Sequence, residues 1–372
     1  MPAIVLVGQR KGSAEAAAEK LGWPYFLINH LEIPRTPLAL ERGRMQCPLD
    51  VTQVDSAFAS IQAHLPEAAF AIPLTEGAVA LAAALQDRLS NTSQHHQAFA
   101  ERLTHKRKMK EQALKKDIPC AQFITAQEEI PERWGYPCVV KTEVGSGSRG
   151  IVFAQNRSEL QQALQPGYMA ESLIVGKEFS VESFVTQGKI IFTNITDYTQ
   201  PAWENVIPAG FSVEKKVQIL KFNAHVISAF GVTSGMTHLE LFDTANGLVF
   251  GEMARRPPGG YIMDLLRLTY DIDPWISYLK SSVSEAFELP QKSQEYAGVR
   301  MMHPGAGYLT HVSGVEAAAD ITGAQAVKIT KKMPVQVSER KGVGESCGHC
   351  FATGSTPEAV QDTLRAMTRA VQ

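Results

Sequence analysis

Two acidic residues fall on facing strands of a predicted β-hairpin in the C-terminal half of the chain. Residues 236–242 and 248–253 alternate in character, and Asn246-Gly247 between them is a strong two-residue turn signal. Cross-strand pairing would bring Glu240 and Glu252 side by side on one face. Two adjacent carboxylates repel each other unless a cation lies between them, and Mg²⁺ takes oxygen ligands while leaving positions for phosphates. An exposed hairpin with two solvated acids is the alternative.

Two basic residues are further candidates: Arg256 follows the hairpin, and Lys141 precedes a glycine-rich loop. Arg256 follows the hairpin and could hold a carboxylate or phosphoryl oxygen bidentately. Residues 138–141 predict a short buried strand ending in Lys141, whose ammonium needs an anionic partner or reaches the surface instead. The loop 145–150 follows, and its backbone N–H groups could cover phosphates. It lacks the Gly-Lys-Ser/Thr of a P-loop, and a flexible surface loop is the alternative.

The N-terminal elements that precede these groups predict an open parallel sheet. A strand, a helix that Ser13 caps, and two further strands are expected over residues 4–7, 14–21, 25–28 and 69–73. The glycines after the first strand lack the spacing of a dinucleotide fingerprint. Thr75 and Glu76 follow the last of these strands, where binding residues of open α/β sheets lie. A helix cap with an acid in its first turn is the alternative for this pair.

The middle of the chain predicts longer elements. A basic helix is expected over residues 99–116, a long hairpin over 178–196 and an amphipathic helix over 215–230. Residues 199–213 predict an irregular stretch, and stretches of this kind often act as lids.

Bulk properties exclude several classes of protein. The chain has 372 residues, which predicts two or three domains, and a net charge of −2, which does not favour nucleic acid. The apolar run after Met1 is too short for a membrane span and has no basic segment before it, so we expect a core strand and no membrane association. Five cysteines, an odd number, indicate a reducing cytoplasm and no disulfide framework.

Four motifs in order resemble the ATP-grasp superfamily, which includes D-alanine–D-alanine ligase, biotin carboxylase and bacterial L-amino-acid ligases. They are Val140-Lys141 with the loop 145–150, Glu171-Ser172-Leu173-Ile174, Glu178, and Glu240 followed by Glu252-x-x-x-Arg256. The resemblance implies an α/β architecture with α+β subdomains: the ATP-grasp fold with an N-terminal Rossmann-like preceding domain. The implied divisions are residues 1–98, a small lid over 99–172, and a large subdomain over 173–372.

The resemblance also implies a role for each candidate residue. The groups that would hold or cover the phosphates of ATP are Lys106, Lys141, Gly145, Ser146, Gly147 and Ser148. The hinge that would contact adenine, largely through backbone groups, is Glu171, Ser172, Leu173 and Ile174. Glu178 would bind the ribose hydroxyls. Glu240 and Glu252 would bind Mg²⁺, with Mn²⁺ as a substitute, and Arg256 would lie near an acyl phosphate.

Two positions depart from the family pattern. Ala254 stands where the family usually has an asparagine that binds metal. His238 stands where ligases such as D-alanine–D-alanine ligase have an arginine, two residues before the first metal acid. A histidine can donate to a phosphoryl oxygen, although its charge depends on pH, and we interpret His238 as a catalytic candidate. A cross-strand packing role is the alternative.

The resemblance predicts an ATP-dependent carboxylate–amine ligase. Such an enzyme forms an amide or peptide bond through an acyl phosphate and releases ADP and phosphate. Its expected partners are ATP, a small carboxylate or amino acid and an amine, and a homodimer is common in the family. The alternatives are an acceptor of another kind, a thiol or bicarbonate, and a catalytically impaired ATP-binding regulatory protein.

A dithiol motif near the C-terminus has a different interpretation. Cys347-Gly348-His349-Cys350 spells the motif of disulfide isomerases, whose first cysteine must lie near a helix N-terminus to lower its pKa. Residues 348–353 predict a strand here, and Thr356-Pro357 predicts the start of the following helix. We therefore expect no redox function at this motif.

Overall fold

A computed structural model of the protein describes residues 1–30, 43–93, 95–147, 150–340, 342 and 344–372. The predicted phosphate-loop residue Ser148 lies outside them. Three sheets of at least four strands follow one another along the chain, and a short two-stranded sheet accompanies the last of them.

The first sheet is parallel and lies within residues 3–73. Its strands are β1 (Ala3–Val7), β2 (Tyr25–Asn29), β3 (Arg44–Gln46) and β4 (Ala68–Pro73), in the order β3-β2-β1-β4. Every residue of β1 and β2 is buried, as expected for parallel strands covered on both faces. The accompanying helices are α1 (Ser13–Lys20), α2 (Val54–His64) and α3 (Val79–Leu89). The predicted cap is wrong, because Ser13 is the first helical residue and Gly12 precedes it in a left-handed conformation.

The predicted basic helix over residues 99–116 is in fact two helices. They are α4 (His95–Thr104) and α5 (Lys106–Lys115), and His105 between them has an extended backbone. The N–H of Lys106 donates to the carbonyl oxygen of Glu143 at 2.8 Å, and His105 forms an isolated bridge with Val144. The helix therefore breaks where it contacts the next sheet. The implied domain division after residue 98 falls within α4.

The second sheet is small and antiparallel, and it lies within the residues predicted to form the lid, so we call it the lid sheet. Its strands are β5 (Phe123–Thr125), β6 (Cys138–Thr142), β7 (Val152–Ala154) and β8 (Tyr168–Ser172), in the order β5-β8-β6-β7. Helix α6 (Arg157–Ala163) begins after Asn156, whose side chain accepts from the N–H of Glu159. Trp134, Val140 and Leu160 belong to the separate core under this sheet.

The third sheet is antiparallel and carries the predicted acidic hairpin at its edge. Its strands are β9 (Lys177–Thr186), β10 (Lys189–Gln200), β11 (Glu204–Ile207), β12 (Gly235–Thr244), β13 (Gly247–Ala254), β14 (Tyr296–Met302), β16 (Ala324–Ile329) and β18 (Gly348–Gly354). Their order is β13-β12-β9-β10-β11-β14-β18-β16, while β15 (Gly307–Leu309) pairs with β17 (Val335–Val337). The irregular stretch predicted over 199–213 is wrong, because β10 continues to Gln200 and β11 pairs with β14.

Five helices cover this sheet and connect it to the first. They are α7 (Val213–Phe230), α8 (Ile262–Tyr270), α9 (Pro274–Ser282), α10 (Val315–Ala319) and α11 (Pro357–Ala370). Helix α7 has a Ser212 cap and a left-handed Gly231 at its end. Helix α9 packs against the first sheet, where the hydroxyl of Tyr278 donates to the carbonyl oxygen of Pro73 at 2.5 Å. No helix of the described residues is long and apolar enough to cross a membrane.

Candidate active site

The polar residues of the third sheet share one face near its edge. Side chains alternate between the two faces of a strand, so every second residue of β9 and β12 points the same way, and in β13 Glu252 is the direct partner of Glu240. The members of this polar face that carry chemistry are Glu178, Glu182, His238, Glu240 and Glu252. The opposite face is apolar, and Val181, Leu239 and Met253 are buried there in one core with α7. Hydrophobic packing behind the sheet thus fixes which side presents the acids.

The structure confirms that Glu240 and Glu252 are cross-strand neighbours. They are direct partners in the β12–β13 register, and the ladder shifts between Glu240 and Leu241. Their side chains are 26% and 32% exposed, so solvent-sized ligands reach both. Burial alone would raise the pKa of Glu240, but the adjacent His238 lowers it. Glu240 is therefore held in its charged form, and both carboxylates are accessible, as a cation site requires.

Two lysines from different elements converge on these acids. The Nζ of Lys106, at the start of α5, lies 3.4 Å from Oε2 of Glu252 and donates to the carbonyl oxygen of Gly145 at 2.5 Å. The Nζ of Lys141, at the end of β6, lies 3.0 Å from Oε1 of Glu171. Burial alone would lower the pKa of Lys141, but the carboxylates of Glu171 and Glu252 raise it. Lys141 consequently carries its charge beside the acid pair.

A third lysine, Lys110, was not predicted from the sequence. It is 1% exposed, and its Nζ lies 3.4 Å from Oε2 of Glu171 and donates to the carbonyl oxygen of Phe250 at 3.3 Å. Burial lowers its pKa, and Glu171 opposes that effect. The available signal was its spacing of four residues from Lys106, which places both on one face of α5.

The structure gives Glu171 more than the backbone hinge contact implied for it. Its side chain is buried between Lys110 and Lys141, and its backbone pairs with β5 and β6 inside the lid sheet. Burial alone would raise its pKa, but the two lysines lower it, so a carboxylate stands between two ammonium groups. The N–H of Ser172 donates to the carbonyl oxygen of Gln122 at 2.9 Å. Strand β8 ends there, and Leu173 and Ile174 follow outside the sheet.

Glu178 lines a cavity of about 560 Å³ beside the acid pair. Further lining residues are Lys177, Tyr198 and Phe242, with Glu358 of α11. Burial raises the pKa of Glu178 to about 7, with Glu240 and Glu252 adding to the effect. The volume is within the roughly 300–1,000 Å³ of small-molecule sites.

His238 joins the acid pair to a second carboxylate that sequence analysis missed. Its Nδ1 lies 2.9 Å from Oε1 of Glu182, and its Nε2 lies 3.5 Å from Oε1 of Glu240. Burial alone would lower the pKa of His238, but the two carboxylates raise it to about 9. The imidazole is therefore a cation at neutral pH, which makes it an electrostatic equivalent of the family arginine.

Glu182 is held in place by a closed hydrogen-bond network. Its side chain is fully buried and accepts from Ser180 Oγ at 2.6 Å, Asn194 Nδ2 at 2.8 Å and Thr196 Oγ1 at 2.6 Å. Burial alone would raise its pKa, but His238 and these donors lower it. A buried carboxylate with this many donors fixes the orientation of the histidine. The signal in the sequence was the alternation of β9, in which Glu178, Ser180 and Glu182 share one face.

Arg256 contacts the N-terminal domain. Its Nε donates to Oε2 of Glu76 at 2.6 Å, and its Nη1 donates to the carbonyl oxygen of Pro257 at 2.9 Å. Arg10, from the loop after β1, donates to the carbonyl oxygen of Pro258. The predicted rim residue Glu76 and the arginine after the hairpin therefore meet, although they are 180 residues apart in the chain.

The glycine-rich loop follows Lys141 with left-handed glycines. Gly145, Gly147 and Gly150 have φ values of 135°, 76° and 72°. A Cβ at Gly145 would lie 3.2 Å from Thr142 Oγ1, so this turn needs glycine. Ser146 lies between these glycines, and the bond from Lys106 to Gly145 ties the loop to α5.

The ligand atoms of the acid pair are of the type that binds a hard divalent cation. Both ligands are carboxylate oxygens, the type that Mg²⁺ prefers, and Mg²⁺ keeps waters or phosphate oxygens in its other positions. Ala254 pairs with His238 and offers no ligand. No group of three or more potential metal ligands exists in the part of the chain that the structure describes. Two protein ligands with phosphate and water completing the shell is the arrangement these residues fit.

The dithiol motif has the strand context expected for it. Cys347 and Cys350 are both buried free thiols, and Cys350 lies within β18. Burial raises the pKa of Cys350 to about 11, whereas redox-active thiols have lowered values.

Comparison with known proteins agrees with this arrangement. Residues 134–264 match the model of the ATP-grasp domain. The chain contains an ATP-grasp domain. Residues 300–372 match the L-amino acid ligase C-terminal domain 2, so the ATP-grasp domain is followed by a module named for L-amino-acid ligases.

Among curated relatives, the chain is 30% identical over 205 residues to an L-arginine-specific L-amino acid ligase of Bacillus subtilis. The match covers 49% of this chain and 50% of that protein. It is 24% identical over 216 residues to dapdiamide A synthase of Enterobacter agglomerans, covering 50% of each. The chain thus spans about half the length of the curated relatives that it matches.

Solved structures confirm the predicted ATP-grasp fold class. The L-amino acid ligase of Bacillus licheniformis superposes with a TM-score of 0.85 at 19% identity, covering 100% of this chain and 98% of that one. An N5-carboxyaminoimidazole ribonucleotide synthetase of Thermotoga maritima superposes with a TM-score of 0.77 at 16% identity, covering 100% and 99%. At these identities the likeness concerns the fold.

Proposed function

We propose that the protein is an ATP-dependent carboxylate–amine ligase that joins an amino acid or small carboxylate to an amine. The observation that carries the proposal is the convergence of Lys106 and Lys141 on the paired acids Glu240 and Glu252, with the charged His238 beside them. Cations on several sides of an acid pair suit a polyphosphate with its metal. The match to an L-amino acid ligase C-terminal domain favours amino acids as substrates.

The reaction needs activation because a carboxylate is a poor electrophile. A carboxylate oxygen attacks the γ-phosphorus of ATP, the bond to the β-phosphate oxygen breaks, and ADP leaves. The amine nitrogen then attacks the acyl carbon, phosphate leaves, and the amine loses a proton to solvent. The protein contributes positioning and neutralisation of negative charge.

Each charged residue has a place in this proposal. Lys106 and Lys141 hold phosphate oxygens, and Arg256 stabilises the oxyanion that develops when the amine attacks. His238 donates from Nε2 toward the phosphoryl group, and Glu182 keeps it charged and oriented. Arg256 is aimed at the rim of the N-terminal domain by Glu76, which assigns the carboxylate substrate to that side.

Glu240 and Glu252 would hold Mg²⁺, or Mn²⁺ in its place. The metal neutralises phosphate charge when bound. Because Ala254 supplies no third oxygen, the protein would align the ion through two carboxylates, so the loss of either one should weaken metal binding strongly.

We assign the nucleoside to the cavity beside Glu178, which would accept hydrogen bonds from the ribose hydroxyls. The backbones of Leu173 and Ile174, beyond the end of β8, would contact adenine together with the implied hinge residues Glu171 and Ser172. Gly145, Ser146 and Gly147 would cover the phosphates. The five cysteines fit a cytoplasmic location, and a homodimer stays a prediction.

The test is release of ADP and phosphate from Mg-ATP with pooled L-amino acids and small carboxylates. We expect release to depend on the pool, to vanish in Lys141→Ala and to persist in Lys189→Ala, which removes an exposed lysine of β10. Hydroxylamine added without amine should trap the acyl phosphate as a hydroxamate. AMP with pyrophosphate would contradict the proposal, and ATP binding without turnover on any pool would favour a regulatory protein.

A further inference from the structure

A second cavity, of about 350 Å³, lies where the first sheet, α4 and the ends of the acidic hairpin meet. Its walls include Phe70, Ala83, Phe99 and Leu103, which are apolar. The one arginine among its lining residues is Arg255. The volume is near the lower end of the roughly 300–1,000 Å³ of small-molecule sites, so the space suits a compact ligand.

Arg255 has few partners for a guanidinium inside the protein. Its Nε donates to the carbonyl oxygen of Ser234 at 2.7 Å and its Nη2 to Ser234 Oγ at 2.8 Å, while its Cζ lies 5.7 Å from the ring centre of Phe99. None of the described residues accepts from Nη1, and no described carboxylate forms an ion pair with the group. Burial lowers the pKa of Arg255. A partly buried cation without an anion is unusual, because charges inside proteins are normally paired.

The backbone around Arg255 makes room for it. Gly235 has a φ of 92°, and a Cβ there would lie 3.2 Å from Nε of Arg255. The glycine therefore leaves room for the guanidinium close to the start of β12. Ser234 therefore fixes the position of Arg255 at the cavity wall, and Gly235 provides the space for it. A side chain held in this way is already positioned to bind a ligand.

This cavity is distinct from the acid pair. Arg256, one residue later, donates to Glu76, whereas Arg255 donates to Ser234. The two guanidinium groups follow the same strand, but Arg255 lines the second cavity while Arg256 contacts Glu76 of the N-terminal domain. The cavity touches the catalytic hairpin only through the residues that enter β12 and leave β13.

We propose that this cavity binds a small hydrophobic monocarboxylate. The carboxylate would pair with Arg255, for which bidentate geometry is favourable, and the apolar body would lie against Phe70, Ala83 and Leu103. The class follows from complementarity. Arg255 has no carboxylate partner among the described residues, and the volume excludes nucleotides and polymers. Phe70, Ala83 and Leu103 form an apolar patch, although polar residues such as His95 and His96 also line the cavity. The site is additional to the proposed ligase centre, so its test needs no turnover.

The first experiment measures binding to the full chain without ATP. Isothermal titration uses phenylacetate at millimolar concentration, with phenylacetamide as the neutral isostere. We expect heat from phenylacetate and none from phenylacetamide. Equal binding of both, or binding of neither, would overturn the proposal.

Variants then locate the bound molecule. Arg255→Gln should weaken phenylacetate about tenfold to hundredfold, because it removes a charge-assisted pair of hydrogen bonds. Ala83→Leu should abolish binding by filling the cavity, whereas Ala80→Leu, at an exposed position of the same helix, should leave it intact. Binding that survives Arg255→Gln and Ala83→Leu, but is lost in Arg256→Gln, would place the molecule in the ligase centre and refute the proposal.

A second arm identifies the subclass of ligand. L-Phenylalanine shares the ring and carboxylate of phenylacetate and adds an ammonium group. Tighter binding of L-phenylalanine would indicate an amino acid as the occupant, and tighter binding of phenylacetate a plain carboxylic acid. Both results support the site if they show the same dependence on Arg255 and Ala83.

Discussion

Removing the carboxylate between the two buried ammonium groups tests the electrostatic design of the site. In Glu171→Met, Lys110 and Lys141 lose the acid that lies 3.4 and 3.0 Å from them. Breaking a buried ion pair by removing one partner costs about 3–5 kcal/mol, since an uncompensated charge stays buried. Lys110 is only 1% exposed, so solvent does not screen it. We expect a loss of this size in the free energy of unfolding.

The assay is urea unfolding followed by fluorescence, with thermal melting as a second probe. At about 2.1 cal/mol/K of unfolding entropy per residue, a loss of about 3 kcal/mol lowers the melting temperature of a 372-residue chain by about 4 °C. The double variant Lys110→Met with Glu171→Met should recover at least half of the loss, because it also removes the buried ammonium group of Lys110 that Glu171→Met leaves unpaired. Glu132→Gln, at an exposed acid of the lid, is the control. The reasoning is refuted if Glu171→Met unfolds at the same urea concentration as the Glu132→Gln control. It is also refuted if the double variant is no more stable than Glu171→Met.

Three further predictions concern other residues. Glu252→Gln should raise the Mg²⁺ concentration for half-maximal ADP release at least tenfold, because one of two protein ligands is lost; an unchanged Mg²⁺ titration would contradict this. Burial lowers the pKa of His349 to about 4, so the neutral ring costs no stability above pH 6.5, and the fold loses stability as pH falls from 6.5 toward 4 because the unfolded chain binds the proton first. At pH 5 the loss should be about 2 kcal/mol relative to His349→Phe, as melting curves at several pH values would show, and parallel curves would disprove it. Gly235→Ala should destabilise more than Gly188→Ala in urea unfolding, since both have positive φ but only Gly235 abuts Arg255; equal losses would mean that strain alone matters.

The hairpin was predictable because its signals are local. Alternation in β12 and β13 and the turn signal at Asn246-Gly247 predict the hairpin and bring the two acids to the same end of it. The exact pairing was not predictable: Thr244 pairs with Gly247, a register that would place Glu240 opposite Gly251, and the shift of the ladder between Glu240 and Leu241 makes Glu252 its partner instead. Lys141 was predictable in the same way, from a short apolar run with a charge at its end. In both cases the residues that decide the geometry are neighbours in the chain.

The remaining features depend on contacts between distant segments. The break at His105 arises from a hydrogen bond to Glu143 in the lid, and helical periodicity over residues 99–116 contains no trace of it. In the sequence, Lys110 cannot be distinguished from a solvated lysine of the same helix. Its buried position depends on its contact with Glu171, which is distant in the chain. The pairing of Arg256 with Glu76 requires the N-terminal sheet and the hairpin to be assembled first. The prediction of an irregular stretch over 199–213 was wrong because β14 supplies a partner strand from almost a hundred residues away.

The lid enters and leaves the rest of the chain at adjacent points. Ser172, at its exit, donates from its N–H to the carbonyl oxygen of Gln122, at its entrance, across 2.9 Å. A segment whose ends touch can be inserted or removed without stretching its host, which is why such segments are readily exchanged between proteins. Residues 122–172 are therefore a suitable segment to exchange in chimeric proteins. Replacing residues 122–172 with the corresponding segment of a relative would exchange the proposed cover over the nucleotide, together with Lys141 and Glu171, while leaving the acidic face of the large sheet unchanged.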